Sequence, residues 1–274
     1  MYSGTTLTPM SGRVLGAHQK IDRLARTSLK QLLKQDGDFP STKLILHFEG
    51  LNGPDAIKRK SPGQDEPWHF YTPFDDQDLE LPRIIEGHYD ALVTALRALD
   101  ETRAAFEAAW LAHAIVDGLT PAHHFPYEER LAELRGENRS TRNSIKGKLL
   151  LPGETRRKQV SNNWKMWGPK GLLVSHGFFE FGVAVLLTPL SAQGIAIKEH
   201  DIAELHKYGV LELFRIKAKE IAAQGMYDRY QKSGWTPALA MQIRKRLLPA
   251  IVHTVLLAWY GAAIDAGLTP KDIR

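Results

Sequence analysis

The chain has 274 residues, a formal net charge of +5 and a pI near 9.3, and 43% of its residues are apolar and 24% charged. This is the composition of a globular protein with a sizeable core, and its mild positive charge suits a phosphate-bearing partner without requiring one. The chain has no cysteine, which excludes disulfides and thiolate zinc sites. Any zinc would therefore be bound by histidine and carboxylate ligands.

Two segments bear on localisation. Residues 1–11 are small and polar, without the basic and then apolar segments of a secretory signal. We therefore expect a cytoplasmic protein, or a secreted one if a leader has been removed. Residues 247–264 are about long enough to span a bilayer, but they contain Pro249 and His253. Because the chain is rich in amphipathic helices, a buried core helix is favoured, and no transmembrane segment is expected.

Apolar residues recur at helical spacing through most of the chain, and strand signals are few. We predict a first helix over residues 14–33, a loop-rich stretch dense in Gly, Pro and Asp over residues 35–82, and a second helix over residues 84–99. Asp100 is suited to cap a third helix, which ends near Gly118.

A polar and basic segment, residues 135–170, interrupts the helical pattern of the second half. It contains Trp164 and Trp167 among many Lys and Arg residues. Further helices are predicted over residues 127–134, 171–187, 202–223 and 237–263. We therefore predict an all-α protein with one domain over residues 1–274 and a long basic loop insertion at 135–170.

Histidine and aspartate recur at spacings that suit metal binding. His113 and Asp117 lie four residues apart on a predicted helix, so their side chains project from one face. His123 follows after the glycine and proline that end the helix. A single HxxxD pair is common by chance, but the longer pattern HxxxDxxxxxH is rare enough to indicate a metal site.

The same four-residue spacing occurs twice more. His176 and Glu180 lie in an otherwise apolar predicted helix, and His18 and Asp22 lie in the first predicted helix. A buried glutamate without a partner is costly, so a metal or another cation is expected beside Glu180.

Four segments together resemble one family. HxxxDxxxxxH, HxxxE, the segment PWHFYTP around His69 and the segment NGPD ending at Asp55 resemble the zinc-dependent phospholipase C family, a relative of the fungal single-strand-specific nucleases. The segment GAHQKI, which contains His18, is similar to the family's N-terminal helix. The resemblance implies an all-helical fold with two or three zinc ions in a cleft and an activity on phosphodiesters.

The resemblance also implies the metal ligands, in three groups. The ligands of the first zinc would be Asp55, His69, His113 and Asp117. The second zinc would be bound by His18 and by Asp117, which bridges it to the first. The ligands of the third would be His123, His176 and Glu180. The family's second zinc is also bound by the amino group and carbonyl of an N-terminal tryptophan; here position 1 is Met, seventeen residues before His18, so we expect two ligands to be lacking.

The resemblance implies a hydrolytic mechanism. A metal pair could hold a hydroxide nucleophile and clamp phosphate oxygens during in-line displacement, so that no side-chain nucleophile is needed. Asp55 would orient or deprotonate the attacking water as the catalytic carboxylate. If Asp55 does not act in this way, Asp65 and Glu49 are the next candidates.

We therefore predict a zinc-dependent phospholipase C that acts on phospholipid headgroups. One alternative is a nuclease or nucleotidase with the same zinc cluster, and another is a catalytically idle zinc-binding helical module. The form of the motifs and the lack of cysteine favour the lipase branch, since the fungal nucleases carry disulfides. The basic segment, with Trp164 and Trp167, could contact anionic lipid at a membrane surface or nucleic-acid phosphates and bases, or it could be a solvated insertion.

Overall fold

Helices make up most of the described part of the protein. A computed structural model describes residue 1 and residues 16–34, 36–49, 52–55, 69–136 and 150–271. Within these ranges it contains no β-strand, which confirms the prediction of an all-α protein. The helices in chain order are α1 (Ala17–Leu32), α2 (Thr42–Glu49), α3 (Glu80–Arg97), α4 (Glu101–Gly118), α5 (Tyr127–Arg135), α6 (Arg156–Trp167), α7 (Leu172–Leu187), α8 (Glu199–Ala222), α9 (Met226–Ser233), α10 (Pro237–Gln242) and α11 (Leu248–Asp265).

Helix α11 lies at the centre of the core and packs against α1, α3, α4 and α8. Its Trp259 is fully buried and donates a hydrogen bond from Nε1 to the backbone oxygen of Ala108 (3.0 Å). By length and composition alone, two helical stretches could cross a membrane, Arg156–Leu187 and Pro237–Asp265, and the most apolar window of the second is 78% buried. The second stretch therefore provides the core helix that the sequence indicates.

Helix α4 packs closely against its neighbours because small residues line its buried side. This close packing surrounds its polar side chains, His113 and Asp117, with the core. Alanines 104, 105, 108, 109 and 112 are all buried on it. At its last residue, Gly118, a β-carbon would lie 2.6 Å from Cζ of Phe214 and 2.7 Å from Cδ2 of Leu81. Asp100 caps the helix as predicted, since its side chain accepts a hydrogen bond from the backbone N–H of Arg103 (2.9 Å).

Two segments that the sequence indicates as loops contain helices. Helix α2 lies within the predicted loop at residues 35–82, and helix α6 lies within the predicted basic loop at 135–170, of which residues 137–149 fall outside the described ranges. The hydroxyl of Thr155 caps α6 by accepting from the backbone N–H of Lys158 (3.2 Å). Only Asn162 and Met166 of α6 are buried, so the sequence carries little amphipathic signal for this helix.

Replacement of Trp259 tests the central position of α11. Trp259→Ala should lower the free energy of unfolding by about 3–5 kcal/mol, because it leaves a cavity in a packed core and removes the donor to Ala108. Trp164→Ala is the matched control: this side chain is 69% exposed, and its loss should change stability by no more than about 0.5 kcal/mol. Urea unfolding followed by circular dichroism measures both, and equal losses would contradict the assignment of the core.

Candidate metal centre

Among the described residues, histidine and carboxylate side chains meet in three groups, and within each group the potential ligand atoms lie within 4.8 Å of one another. The groups are His18, His113 and Asp117; Asp55, His69 and His113; and His123, His176 and Glu180. All eight residues that the resemblance implied as ligands are therefore brought together. The prediction that these residue types form groups able to hold metal ions is confirmed, and the identity of the ion stays a prediction.

Six parts of the chain supply these side chains. His18 lies in the first turn of α1, and His113 and Asp117 lie near the end of α4. The 3₁₀ segment Pro121–His124 then turns the chain back and places His123 beside them. The backbone N–H of Tyr71 donates to the carbonyl oxygen of His123 (3.1 Å), which holds the segment of His69 against this turn. Asp55 lies between α2 and α3, and α7 carries His176 and Glu180.

Asp117 is the point at which the groups meet. Its Oδ1 lies near the Met1 amino group, His18 Nε2 (3.3 Å) and His123 Nδ1 (3.5 Å), and its Oδ2 lies near His69 Nδ1 and His113 Nε2 (3.1 Å). Burial raises the pKa of the Asp117 carboxyl, but the positive charge of the Met1 amino group and the neighbouring imidazoles outweigh it. The pKa is therefore well below its usual value, and the group is an anion surrounded by nitrogen atoms.

Met1 lies in the position that we expected to be without ligands. Its amino group contacts Asp117 and lies 3.3 Å from Oε1 of Glu180, and its carbonyl oxygen lies 2.8 Å from Nε2 of His18. Burial lowers the pKa of this amino group, but the charges of Asp117 and Glu180 raise it overall. An amino group and a carbonyl oxygen therefore both lie at the site, and the expectation that two zinc ligands are lacking stays a prediction.

The third group is arranged around Glu180. Its Oε1 lies 2.8 Å from Nε2 of His123 and 3.1 Å from Nε2 of His176, and the two imidazole rings are stacked with centroids 5.2 Å apart. Burial, and then the charge of the Met1 amino group, lower the pKa of His123 to about 4. His123 is therefore neutral at pH 7, which is the form that binds a metal.

A buried carboxylate lies on the side of two candidate ligand imidazoles that faces away from Asp117. The sequence did not indicate that it orients them. Glu49, at the end of α2, is fully buried, and its Oε1 lies 3.0 Å from Nδ1 of His113 and 3.9 Å from Nδ1 of His18. The two rings stack with centroids 4.0 Å apart, and their Nε2 atoms face Asp117. A carboxylate on the far nitrogen fixes the tautomer and orientation of a ligand imidazole. The signal in the sequence was a glutamate at the end of the apolar helix TKLILHFE.

The position of Glu49 also bears on the choice of catalytic base. Glu49 faces Nδ1 of His113, whereas Asp55 lies on the Nε2 side, with its Oδ1 4.0 Å from that atom. Asp55 is partly exposed and Glu49 is not, so Asp55 can meet a water molecule. The other fallback, Asp65, lies outside the described ranges.

Two further polar residues near the site lie outside the three groups. His124, next to His123, donates from Nε2 to the backbone oxygen of Gly118 (2.8 Å) at the end of α4, and burial lowers its pKa to about 4. Asp22 is fully buried, and burial together with the charge of Glu49 raises its pKa well above the usual value. Asp22 belongs to none of the three groups, which agrees with the resemblance.

The site is open on one side, and the lining of a second feature, the basic cleft, includes residues close in the chain to two of the ligands. Asp55, His176 and Glu180 are partly exposed, whereas His18 and Asp117 are buried. The cleft has a volume of about 690 Å³ and is lined by Phe125 and Ser175, which neighbour His123 and His176 in sequence. Its cationic lining residues are Arg130, Lys165, Lys170 and Lys232.

Comparisons of the chain with models of protein families, with curated proteins and with solved structures find no match. The chemistry of the site therefore has to be inferred from its own geometry.

Replacement of Glu49 tests its orienting role. With Zn²⁺ as the probe metal, Glu49→Gln should lower the affinity by about 10–100-fold, because the His113 ring loses the carboxylate that fixes its tautomer. Competition with a chromophoric chelator measures this affinity. Glu107→Gln is the matched control, since Glu107 is equally buried and binds a histidine outside the three groups, His88 (2.6 Å). Equal affinities in both variants would contradict the role.

Proposed function

We propose that this protein is a zinc-dependent phosphodiester hydrolase of the phospholipase C type that acts on phospholipid headgroups. The observation that carries the proposal is the set of three adjoining nitrogen and oxygen ligand groups centred on Asp117. Their residues are those that, in the sequence, resemble the zinc-dependent phospholipase C family. The basic cleft, whose lining includes near neighbours of His123 and His176 in the chain, suits a phosphate-bearing substrate.

The side chains at the site fit zinc. Imidazole nitrogen and carboxylate oxygen are the ligands that zinc takes when thiolate is absent. Nε2 of His113 and Nδ1 of His123 are buried and make no hydrogen bond within the described ranges, although each faces Asp117 at 3.1 and 3.5 Å. Such nitrogen atoms suit a cation between imidazole and carboxylate. Zinc, when bound, supplies a Lewis acid for phosphate oxygens and lowers the pKa of water.

The chain's own residues supply binding and proton transfer. The cations of the cleft, Lys165, Lys170 and Lys232, attract the phosphate of the substrate and neutralise part of its charge. Asp55, at the exposed side of the site, accepts a proton from the attacking water. The new bond joins the water oxygen to phosphorus, the bond from phosphorus to the glycerol oxygen breaks, and a proton completes the alcohol that leaves.

A parallel assay distinguishes the lipid substrate from the alternatives. Phosphatidylcholine vesicles, single-stranded DNA and the soluble diester bis(p-nitrophenyl) phosphate are offered to the same zinc-loaded protein. Release of phosphocholine supports the proposal, and cleavage of DNA alone would replace it with a nuclease. Tight zinc binding without turnover of any of the three would make the protein an idle zinc-binding module.

Removal of metal should abolish activity and lower stability together. A strong chelator should stop hydrolysis of bis(p-nitrophenyl) phosphate and lower the melting temperature, because metal binds the folded state. At free zinc about 1,000-fold above Kd this stabilisation is about 4 kcal/mol. Zinc affinity should fall in mild acid, where protons compete for imidazole and carboxylate. Elemental analysis verifies removal; unchanged melting and activity in metal-free protein would exclude a zinc enzyme.

Replacement of Asp55 tests the base. Asp55→Asn should lower turnover of the soluble diester at least about 100-fold, the lower range for loss of a general base, while the helical spectrum stays native. Asp90→Asn, on the exposed side of α3, is the control and should keep full turnover. Near-normal turnover in Asp55→Asn with zinc bound would show that another group accepts the proton.

A further inference from the structure

Helix α7 has an apolar side that the core does not cover. Phe178, Phe181 and Val185 are exposed on it. Trp235 lies beside them, and its Nε1 donates a hydrogen bond to the backbone oxygen of Phe178 (3.4 Å). Its ring packs directly on Gly182, where a β-carbon would lie only 2.2 Å from Cζ2 of the tryptophan. These four residues, Phe178, Phe181, Val185 and Trp235, form the aromatic face. An exposed apolar patch of this kind marks an interaction surface.

The aromatic face lies opposite the metal ligands on the same helix. At about 100° per residue, His176 and Glu180 project toward the side that also buries Val183 and Leu187. The aromatic side chains project from the other side. The outer face is therefore not needed to complete the core, and only about one helix diameter, roughly 10–12 Å, separates it from the ligand group.

Several Lys and Arg residues lie close in the chain to the aromatic face. Residues 155–179 contain five Lys and Arg and no Asp or Glu. Trp235 immediately follows three residues that line the basic cleft, Lys232, Ser233 and Gly234. Helix α6, which packs on α7, exposes Trp164 and Trp167, the two tryptophans of the basic segment. Aromatic side chains with adjacent Lys and Arg are typical of proteins that lie on anionic bilayers.

We propose that the aromatic face docks on an anionic phospholipid bilayer and presents the basic cleft to its headgroups. The choice of lipid as the partner rests on the proposed function, although docking itself requires no hydrolysis. The apolar side chains enter the headgroup boundary, and the Lys and Arg of α6 and the cleft contact lipid phosphates. A headgroup that enters the cleft beside Ser175 then lies next to His176.

Charge and length favour a bilayer surface over the other occupants. A second copy packed two-fold on this face would bring the same cations together, which is unfavourable. A membrane-spanning role suits this part of the chain poorly: Arg156–Leu187 is long enough, but its α6 part carries four Lys and Arg residues, and the 16 residues of α7 alone reach only about 24 Å against the roughly 30 Å of a bilayer interior. Its other side also carries Glu180, a carboxylate of the third ligand group.

Vesicle co-sedimentation of the zinc-loaded protein tests the docking. The vesicles are phosphatidylcholine with and without phosphatidylserine, at low and high salt. The test variant is Phe178→Ser with Phe181→Ser, whose side chains are 62% and 39% exposed. The matched control is Phe74→Ser with Tyr208→Ser, at 66% and 41% exposed, neither of which lies on α6, α7 or the segment of Trp235. Phe178→Ser alone repeats the measurement should the double variant lose its helical spectrum.

We expect phosphatidylserine to increase binding of the wild type, salt to suppress the increase, and the test variant to bind at least about tenfold more weakly than the control. The test variant should hydrolyse bis(p-nitrophenyl) phosphate normally. Equal binding of both double variants, or no binding of the wild type, would overturn the docking. The docking would also be overturned if the wild type formed a dimer that Phe178→Ser dissociates, since the face would then bind a second copy. Protein that alkaline carbonate cannot extract from the vesicles would indicate a membrane-spanning segment instead. Docking without hydrolysis of any diester would instead contradict only the proposed function.

Discussion

The buried charge of Asp117 is the constraint on which the arrangement of the site depends. An isolated carboxylate in a protein interior is strongly unfavourable, so the fold must bring positive or metal-binding groups to it. Four imidazoles and the amino group of Met1 meet this need. They come from α1, α4, the 3₁₀ segment after α4 and the segment of His69. A cation at the centre would satisfy all of them at once, which is the physical argument for a metal.

The site is layered by charge around this carboxylate. Glu49 lies behind the stacked rings of His18 and His113, and the rings lie between Glu49 and Asp117. Each of these two rings thus has a carboxylate oxygen within 4 Å of both nitrogens, at 3.0 and 3.1 Å for His113 and at 3.9 and 3.3 Å for His18, which favours one ring orientation before any metal binds. Because these carboxylates are buried, removal of one partner leaves the remaining charges uncompensated. We therefore expect the centre to respond to substitution as a unit.

Helix α7 connects the inner and outer parts of the proposed function. Its inner side supplies His176 and Glu180 to the metal groups, and its outer side supplies the aromatic face. Gly182 permits this arrangement, since any side chain there would displace Trp235. The basic cleft begins at the same helix, at Leu172 and Ser175. Helix α7 therefore carries both the aromatic face, on which a lipid substrate would gather, and two of the residues that would bind the metal.

The sequence alone determined the local features, because they depend only on the geometry of one helix. The cap at Asp100 and the pairing of His113 with Asp117 follow from a period of 3.6 residues. Tertiary packing decided the rest. Met1 contacts Asp117 and Glu49 contacts His113, although each pair is far apart in the chain. No local sequence pattern can predict such contacts. In α7, where nearly every residue is apolar, periodicity could not show that Phe179 is buried and Phe178 exposed; only the position of the neighbouring helices separates them.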